Sequence, residues 1–211
     1  MIKKVIFDFD GTLADSHAVY RLVTNDVTDK FGLPRFTDEE YAHLSSIPIK
    51  DAIKELSVKW YDIPKYSFEG CVAFMKRIST VPLFDDISEM LNSLEDLNMR
   101  MSIISSNAAD NIKHFLDINN LNCFDNVISC QRLFKKHRFI KQFIKSKNLQ
   151  PDEVLYVGDE VRDIQACKKA NIKVIAASWG FDKLENIQYE QPDFIADEPL
   201  EIVNIIKQLF I

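Results

Sequence analysis

A chain of 211 residues suits one large domain, or a core with a smaller insert, and is long enough to bury a core without covalent staples. Apolar residues make up 46% and charged residues 27%, an ordinary globular balance with no apolar run long enough to span a bilayer. The formal net charge of −6 argues against a nucleic-acid binder, which needs a basic face for phosphates.

The segment from Met1 to Asp10 carries two lysines and a short apolar stretch broken at Asp8, too short for a secretion signal. Cys71, Cys123, Cys130 and Cys167 are scattered and form no C-x-x-C pair. Reduced thiols in a cytoplasmic protein are expected.

In chain order, Val5–Phe7 reads as a buried strand ending in the polar turn Asp8-Phe9-Asp10-Gly11-Thr12. A helical pattern runs from His17 to Phe31, stopped by Gly32 and Pro34. Thr37 to Glu40 is a capping box opening a second helix. Further helical stretches cover Ile49–Tyr61 and Lys65–Ser79. Asp85-Asp86 is placed to cap a helix running through Leu97. Strands then follow at Arg100–Ile104, Val127–Ser129, Val154–Val157 and Lys173–Ala176. They alternate with helices near Ala109–Ile118, Leu133–Lys147 and Val161–Ala170, and Pro199 opens a last helix. Such alternation predicts an α/β fold with a Rossmann-like, doubly wound parallel sheet. Its core comprises residues 1–15 and 82–211, and an all-helical insert over 16–81 follows the first strand.

Ligands of such sheets bind beyond the carboxyl ends of the strands, and polar clusters fall there. Asp8 and Asp10, two apart, share a side if the strand geometry persists, and Gly11 permits a sharp turn. Close carboxylates repel, so the site must separate their pKa values or bring in a cation. Ser105-Ser106-Asn107 offers hydroxyls and helix-start amides suited to phosphate. Lys135-Lys136 offers a cation for a phosphoryl oxygen and a carboxylate. In Gly158-Asp159-Glu160-Val161-Arg162-Asp163, a carboxylate together with Asp8 suits a hard Mg²⁺ ion. Singly, these are ordinary turns, caps and solvated lysines. Their order at successive strand ends is what carries chemical meaning.

Asp8 to Ser16 (DFDGTLADS) resembles the first motif of the haloacid dehalogenase superfamily of phosphatases. Ser105 resembles its second motif, Lys136 its third, and Gly158 to Asp163 (GDEVRD) its fourth. The wider texture is similar to the phosphoglycolate-phosphatase-like group, and the insert resembles that superfamily's helical-bundle cap. The resemblance implies Asp8 as nucleophile and Asp10 as general acid and base, with Thr12 supporting the turn and orienting Asp10. It implies phosphoryl binding by Ser105 and Lys136, with Ser106 beside them and Asn107 supporting. It further implies Mg²⁺ on Asp8, the Asp10 carbonyl and Asp159, with Asp163 behind. One departure is Lys135, where such enzymes often carry glycine; the spacing from Phe134 favours Lys136 over Lys135.

The expected activity is Mg²⁺-dependent hydrolysis of a small soluble phosphorylated metabolite, phosphoglycolate first, through an aspartyl-phosphate. Nucleic acid and membrane are not expected partners. In this reading the cap closes over the site and selects the leaving group, with Arg21, His43, Lys50 and Lys54 as residues that could meet it. Alternatives are a β-phosphoglucomutase-like phosphosugar isomerase and a catalytically silent binding protein. Against the isomerase, Tyr20 stands near where its cap histidine is expected. Against a dehalogenase, Asp10 supplies an acid for a leaving group. Against a signalling receiver domain stand the helical insert and the Asp-x-Asp-Gly-Thr start.

Overall fold

The structure, a computed structural model, describes residues 1–47, 49–130 and 135–209. The chain divides into two compact units, one formed by residues 1–15 with 82–211 and the other by residues 16–81.

The first unit is built on a six-stranded parallel sheet. Its strands are β1 (Lys4–Phe7), β2 (Arg100–Ser105), β3 (Phe124–Ser129), β4 (Val154–Gly158), β5 (Lys173–Ala177) and β6 (Phe194–Ala196), in the spatial order β3-β2-β1-β4-β5-β6. Every residue of β1 and β4 is buried, as a sheet covered by helices on both faces requires. The sheet grows from β1 through β2 to β3, then resumes on the other side of β1 with β4. That reversal opens a crevice at the carboxyl ends of β1 and β4. Register decides what meets there. Phe7 pairs with Ile103 of β2 and Val157 of β4, so Asp8, Ser105 and Asp159 emerge from neighbouring strands at one edge. One face of the sheet packs Ile6, Ile104, Tyr156 and Val174 against Ile140, Phe143, Ile164 and Cys167. The Tyr156 hydroxyl satisfies itself on the Ile104 carbonyl at 2.8 Å.

The helical unit contains α1 (His17–Lys30), α2 (Asp38–Ser46), α3 (Ile49–Glu55) and α4 (Ile63–Met75). The Thr37 box forms as expected: its hydroxyl accepts from the Glu40 amide at 3.1 Å, and Glu40 accepts from the Thr37 amide at 2.8 Å. Helices α1 and α4 pack together, with Tyr20 on Phe74 at 5.1 Å and Arg77 gripping both oxygens of Asp26. The helix expected through Tyr61 ends at Glu55.

The remaining helices of the first unit are α5 (Ile87–Asp96), α6 (Ala109–Ile118), α7 (Lys136–Ser146), α8 (Val161–Ala170), α9 (Leu184–Tyr189) and α10 (Pro199–Gln208). The expected carboxylate cap on α5 is corrected: Asp86 sits before that helix at φ 62° and its side chain makes no capping bond. Leu133 and Phe134, read as the start of α7, lie outside the described residues. Two elements escaped the sequence reading, α9 and β6. They are too short to show a period, and β6 pairs on β5 through only three residues.

Candidate active site

The turn after β1 is wound tightly on one carbonyl. Phe9 accepts from the amides of Leu13 at 2.9 Å and Ala14 at 3.0 Å. Gly11 lies at φ +75°, and a Cβ there would stand 2.2 Å from an oxygen of Asp159, so only glycine fits. Asp8 is anchored by its amide on the Val157 carbonyl at 2.8 Å, and its own Oδ1 accepts from the Phe9 amide at 2.8 Å. It therefore projects where β1 and β4 diverge.

Asp8 and Asp163, both buried, share one lysine. The Nζ of Lys136 donates to Asp8 Oδ2 at 2.7 Å and to Asp163 Oδ1. Lys136, the first residue of α7, is buried, while Lys135 is exposed. Lys136, the lysine that the spacing favours, is thus the one on Asp8 and Asp163. Burial alone would raise the Asp8 carboxyl, but Lys136, Arg162 and a Ser105 hydrogen bond outweigh it and hold Asp8 below the ordinary carboxylate range. Asp163 goes the other way: burial, with Asp8 and Glu160 as like charges, pushes it up to about 7 despite Lys136.

Asp10 is held by the second-motif loop. Asn107 Nδ2 donates to Asp10 Oδ2 at 2.9 Å. Asn107 Oδ1 in turn accepts from the Ala108 amide at 2.7 Å and from Asn111 Nδ2 at 2.9 Å, and its carbonyl accepts from Ser129 Oγ at 2.7 Å. The Thr12 hydroxyl has one proton, and it donates to Asp159 Oδ1 at 2.7 Å. Asn107 is one residue that holds Asp10.

The other oxygen of Asp159 accepts from the Phe181 amide at 2.8 Å, and the Trp179 indole donates to the Thr12 carbonyl at 3.2 Å. Asp182 accepts from the Val161 amide at 2.6 Å, at the start of α8. The 178–182 loop after β5 thus ties the first-motif turn to the fourth. Sequence alone gives this loop no part in the site.

Among the described residues, one carboxylate oxygen from each of Asp8, Glu160 and Asp163 lies within 4.8 Å of the others. Asp159 stands outside this trio, turned toward Thr12 and Phe181, although its neighbours load it heavily. Burial, then Glu160, Asp8 and Asp163, raise it well above the carboxylate range, and no ion pair reaches it among the described residues. Asp163 Oδ2 is buried with no hydrogen-bond partner there. Asp8, Glu160 and Asp163 face Lys136 and Arg162, and Asp159 lies among the same carboxylates, an excess of negative charge that suits a hard divalent cation. Glu160 and Arg162 were passed over in the sequence, although both lie inside the fourth motif. Ser106 is half-buried, and Arg162 Nη2 donates to its hydroxyl at 3.4 Å.

Among the basic residues singled out in the helical unit, Arg21 pairs with Asp38 and Lys54 with Asp51 at 3.1 Å, and His43 Nε2 shares a hydrogen bond with Glu55 at 3.0 Å, while the Lys50 side chain lies outside those described.

Residues 5–177 match the family described as haloacid dehalogenase-like hydrolase. The chain belongs to that family. This hydrolase is 25% identical over 209 residues to a phosphoglycolate phosphatase of Synechococcus elongatus, covering 99% of each chain. It is 22% identical over 213 residues to a pyrophosphatase of Oceanobacillus iheyensis, again over 99% of each. In fold it matches a haloacid dehalogenase-like family hydrolase of Streptococcus pneumoniae with a TM-score of 0.83, at 21% identity over 97% of this chain and 98% of that one. Among the described residues no helix of the hydrolase is long and apolar enough to cross a membrane.

Proposed function

We propose that this hydrolase is a phosphatase that cleaves a small phosphate monoester through a covalent aspartyl-phosphate on Asp8. The observation that carries the reading is the state of Asp8: a buried carboxylate kept ionised by Lys136, at the switch point, with Asp10 held beside it by Asn107. A buried charge is costly, and the arrangement that maintains one here suits a nucleophile.

In the first step a carboxylate oxygen of Asp8 attacks phosphorus, the bond to the leaving oxygen breaks, and Asp10 gives that oxygen its proton. Asp10 then takes a proton from water as the water attacks the aspartyl-phosphate, which releases inorganic phosphate and restores Asp8. General acid and base assistance of this kind contributes about 10²–10⁴-fold. Lys136 offsets repulsion between Asp8 and the phosphoryl oxygens, and Ser105 with Ser106 and the amides of their loop bind those oxygens. Asn107 holds Asp10 in place, Thr12 steadies Asp159, and Asp163 fixes Lys136. The excess negative charge supports a Mg²⁺ ion held by Asp8, the Asp10 carbonyl and Asp159; Asp8 and Asp163 already have Lys136, and Glu160 has Arg162, whereas Asp159 has no ion-pair partner among the described residues. When bound, the ion supplies charge neutralisation to the transferring phosphoryl group.

Phosphoglycolate is the proposed substrate, in line with the named activity of the Synechococcus relative, and pyrophosphate ranks next through the Oceanobacillus one. The test is phosphate release from a panel of phosphoglycolate, pyrophosphate, sugar phosphates and an aryl phosphate, with Mg²⁺ and with a chelator. Release that requires Mg²⁺ and is fastest from phosphoglycolate is expected. No release from any compound with Mg²⁺ present contradicts the reading.

A further inference from the structure

The two cations at Asp8 are placed differently. Lys136 is committed: its amine is bonded to Asp8 and Asp163, and its side chain is 8% exposed. Arg162, on the first turn of α8, leaves its side chain 34% exposed. Its Nε donates to Glu160, and its Nη2 to the hydroxyl of Ser106 at 3.4 Å. A guanidinium carries five N–H groups in a flat fork. Among the described residues, the Nη1 side of this fork has no hydrogen-bond partner.

Arg162 spans from the fourth-motif segment to the second-motif loop, one residue from Ser105, which bonds Asp8. Glu160 occupies only the Nε edge, so neutralising that carboxylate does not exhaust the group. A fork of this kind, with its Nη1 side unpaired on a side chain that is 34% exposed, suits a planar carboxylate or a phosphate oxygen pair better than the single phosphoryl group already served by Lys136 and the serines.

We propose that Arg162 is a specificity residue that binds a second anionic group, carboxylate or phosphate, carried by the substrate. The assignment rests on the phosphatase reading above and narrows it to monoesters or anhydrides with a second negative group. Phosphoglycolate has a carboxylate, and pyrophosphate a second phosphoryl group, in that position.

The test uses compounds that cannot turn over. Carboxyethylphosphonate, methylenebisphosphonate and propylphosphonate are titrated calorimetrically, with Mg²⁺, into the wild-type protein, Arg162→Gln and Arg162→Lys. The wild-type protein is expected to prefer one doubly anionic compound over propylphosphonate, and which one it prefers tells carboxylate from phosphate. Arg162→Gln should reduce that preference by about ten- to a hundredfold, the worth of a charge-assisted hydrogen bond pair. Arg162→Lys should recover part of it, because charge remains while the fork is lost.

The assignment is overturned if the wild-type protein shows no preference, if Arg162→Gln keeps it, or if all three compounds weaken by the same factor. If the Gln variant does not fold, Arg162→Lys decides: a preference within about threefold of wild type overturns the assignment. A wild-type protein with an Arg162-dependent preference that hydrolyses no ester contradicts the phosphatase reading and leaves the anion subsite standing.

Discussion

Replacing Gly180 with alanine would place a methyl group where Asp159 already stands. A Cβ at position 180 would lie 2.2 Å from the Asp159 Cβ, 2.4 Å from its Cγ and 2.3 Å from its Oδ2. Ordinary carbon contacts need about 3.5–4 Å, so one partner must move by more than about 1 Å. Asp159 is fully buried and fastened at both oxygens, by Thr12 and by the Phe181 amide, so the shift loads directly on the carboxylate. Overpacking of this kind costs about 1–3 kcal/mol of stability, and a displacement of about 1 Å at a reacting centre costs on the order of 10²-fold in rate. Gly32→Ala is the control. Gly32 is at φ +63° with nothing within 4 Å of a built Cβ. That substitution should cost about 1 kcal/mol of stability through backbone strain alone and leave kcat intact. The assay is kcat/KM for an aryl phosphate, titrated against Mg²⁺, alongside thermal unfolding of each variant. Gly180→Ala should lose about a hundredfold in kcat/KM and demand more Mg²⁺ while remaining folded. Wild-type turnover and Mg²⁺ demand in a folded Gly180→Ala protein would refute the role given to Asp159 and to the loop behind it.

Asp159→Asn should raise the Mg²⁺ needed for half-maximal activity at least about tenfold, more than Glu160→Gln does; the reverse order would move the ligand role to Glu160. Asp159 and Asp163 both have raised folded-state pKa values, Asp163 at about 7. The folded state therefore binds more protons than the unfolded chain between about pH 4 and 7, and stability falls as pH rises through that window. With Mg²⁺ chelated, melting temperature should drop between about pH 4 and 7 and recover when Mg²⁺ is added; a metal-free protein that gains stability over that range contradicts the charge excess. Away from the site, Lys4 is buried in β1, bonded to Asp125 and to the Met101 carbonyl at 3.3 Å. Asp125→Ala should cost about 2 kcal/mol by stranding that ammonium, whereas Lys4→Met should be near neutral; equal losses in chemical denaturation would count against this.

The parallel sheet was legible because its strands are short apolar runs that stop at polar turns. Val5–Phe7 and Val154–Val157 marked β1 and β4, and the helices α6 and α8 began and ended where their periodicity did. The start of β3 was not legible, since Asp125 and Asn126 break the apolar run; Asp125 belongs there as the partner of Lys4. The residue types of the site could be read, but their pairings could not. Thr12 finds its acceptor 147 residues away on Asp159, a contact set by the register of β1 against β4 rather than by local pattern. Lys135 precedes α7 and is exposed while Lys136 opens the helix and is buried, a difference in burial that depends on how the helix packs. Glu160 and Arg162 could have been suspected, since a charged pair inside an acidic motif at a strand end has little reason to be there unless it meets other charges.

The central claim is a covalent phosphoryl group on Asp8, and the measurement that tests it most directly is the intact mass of Asp10→Asn after reaction with a nitrophenyl phosphate and Mg²⁺. A nitrophenolate leaves without a proton, so the first step survives in this variant. Hydrolysis of the aspartyl-phosphate lacks its base and should slow by about 10²–10⁴-fold. The account predicts a burst of nitrophenolate and one added phosphoryl group per chain, mapping to Asp8 and absent from Asp8→Asn. A label on Ser105 or on any other residue, or equal slowing of good and poor leaving groups with no trapped species, would contradict it.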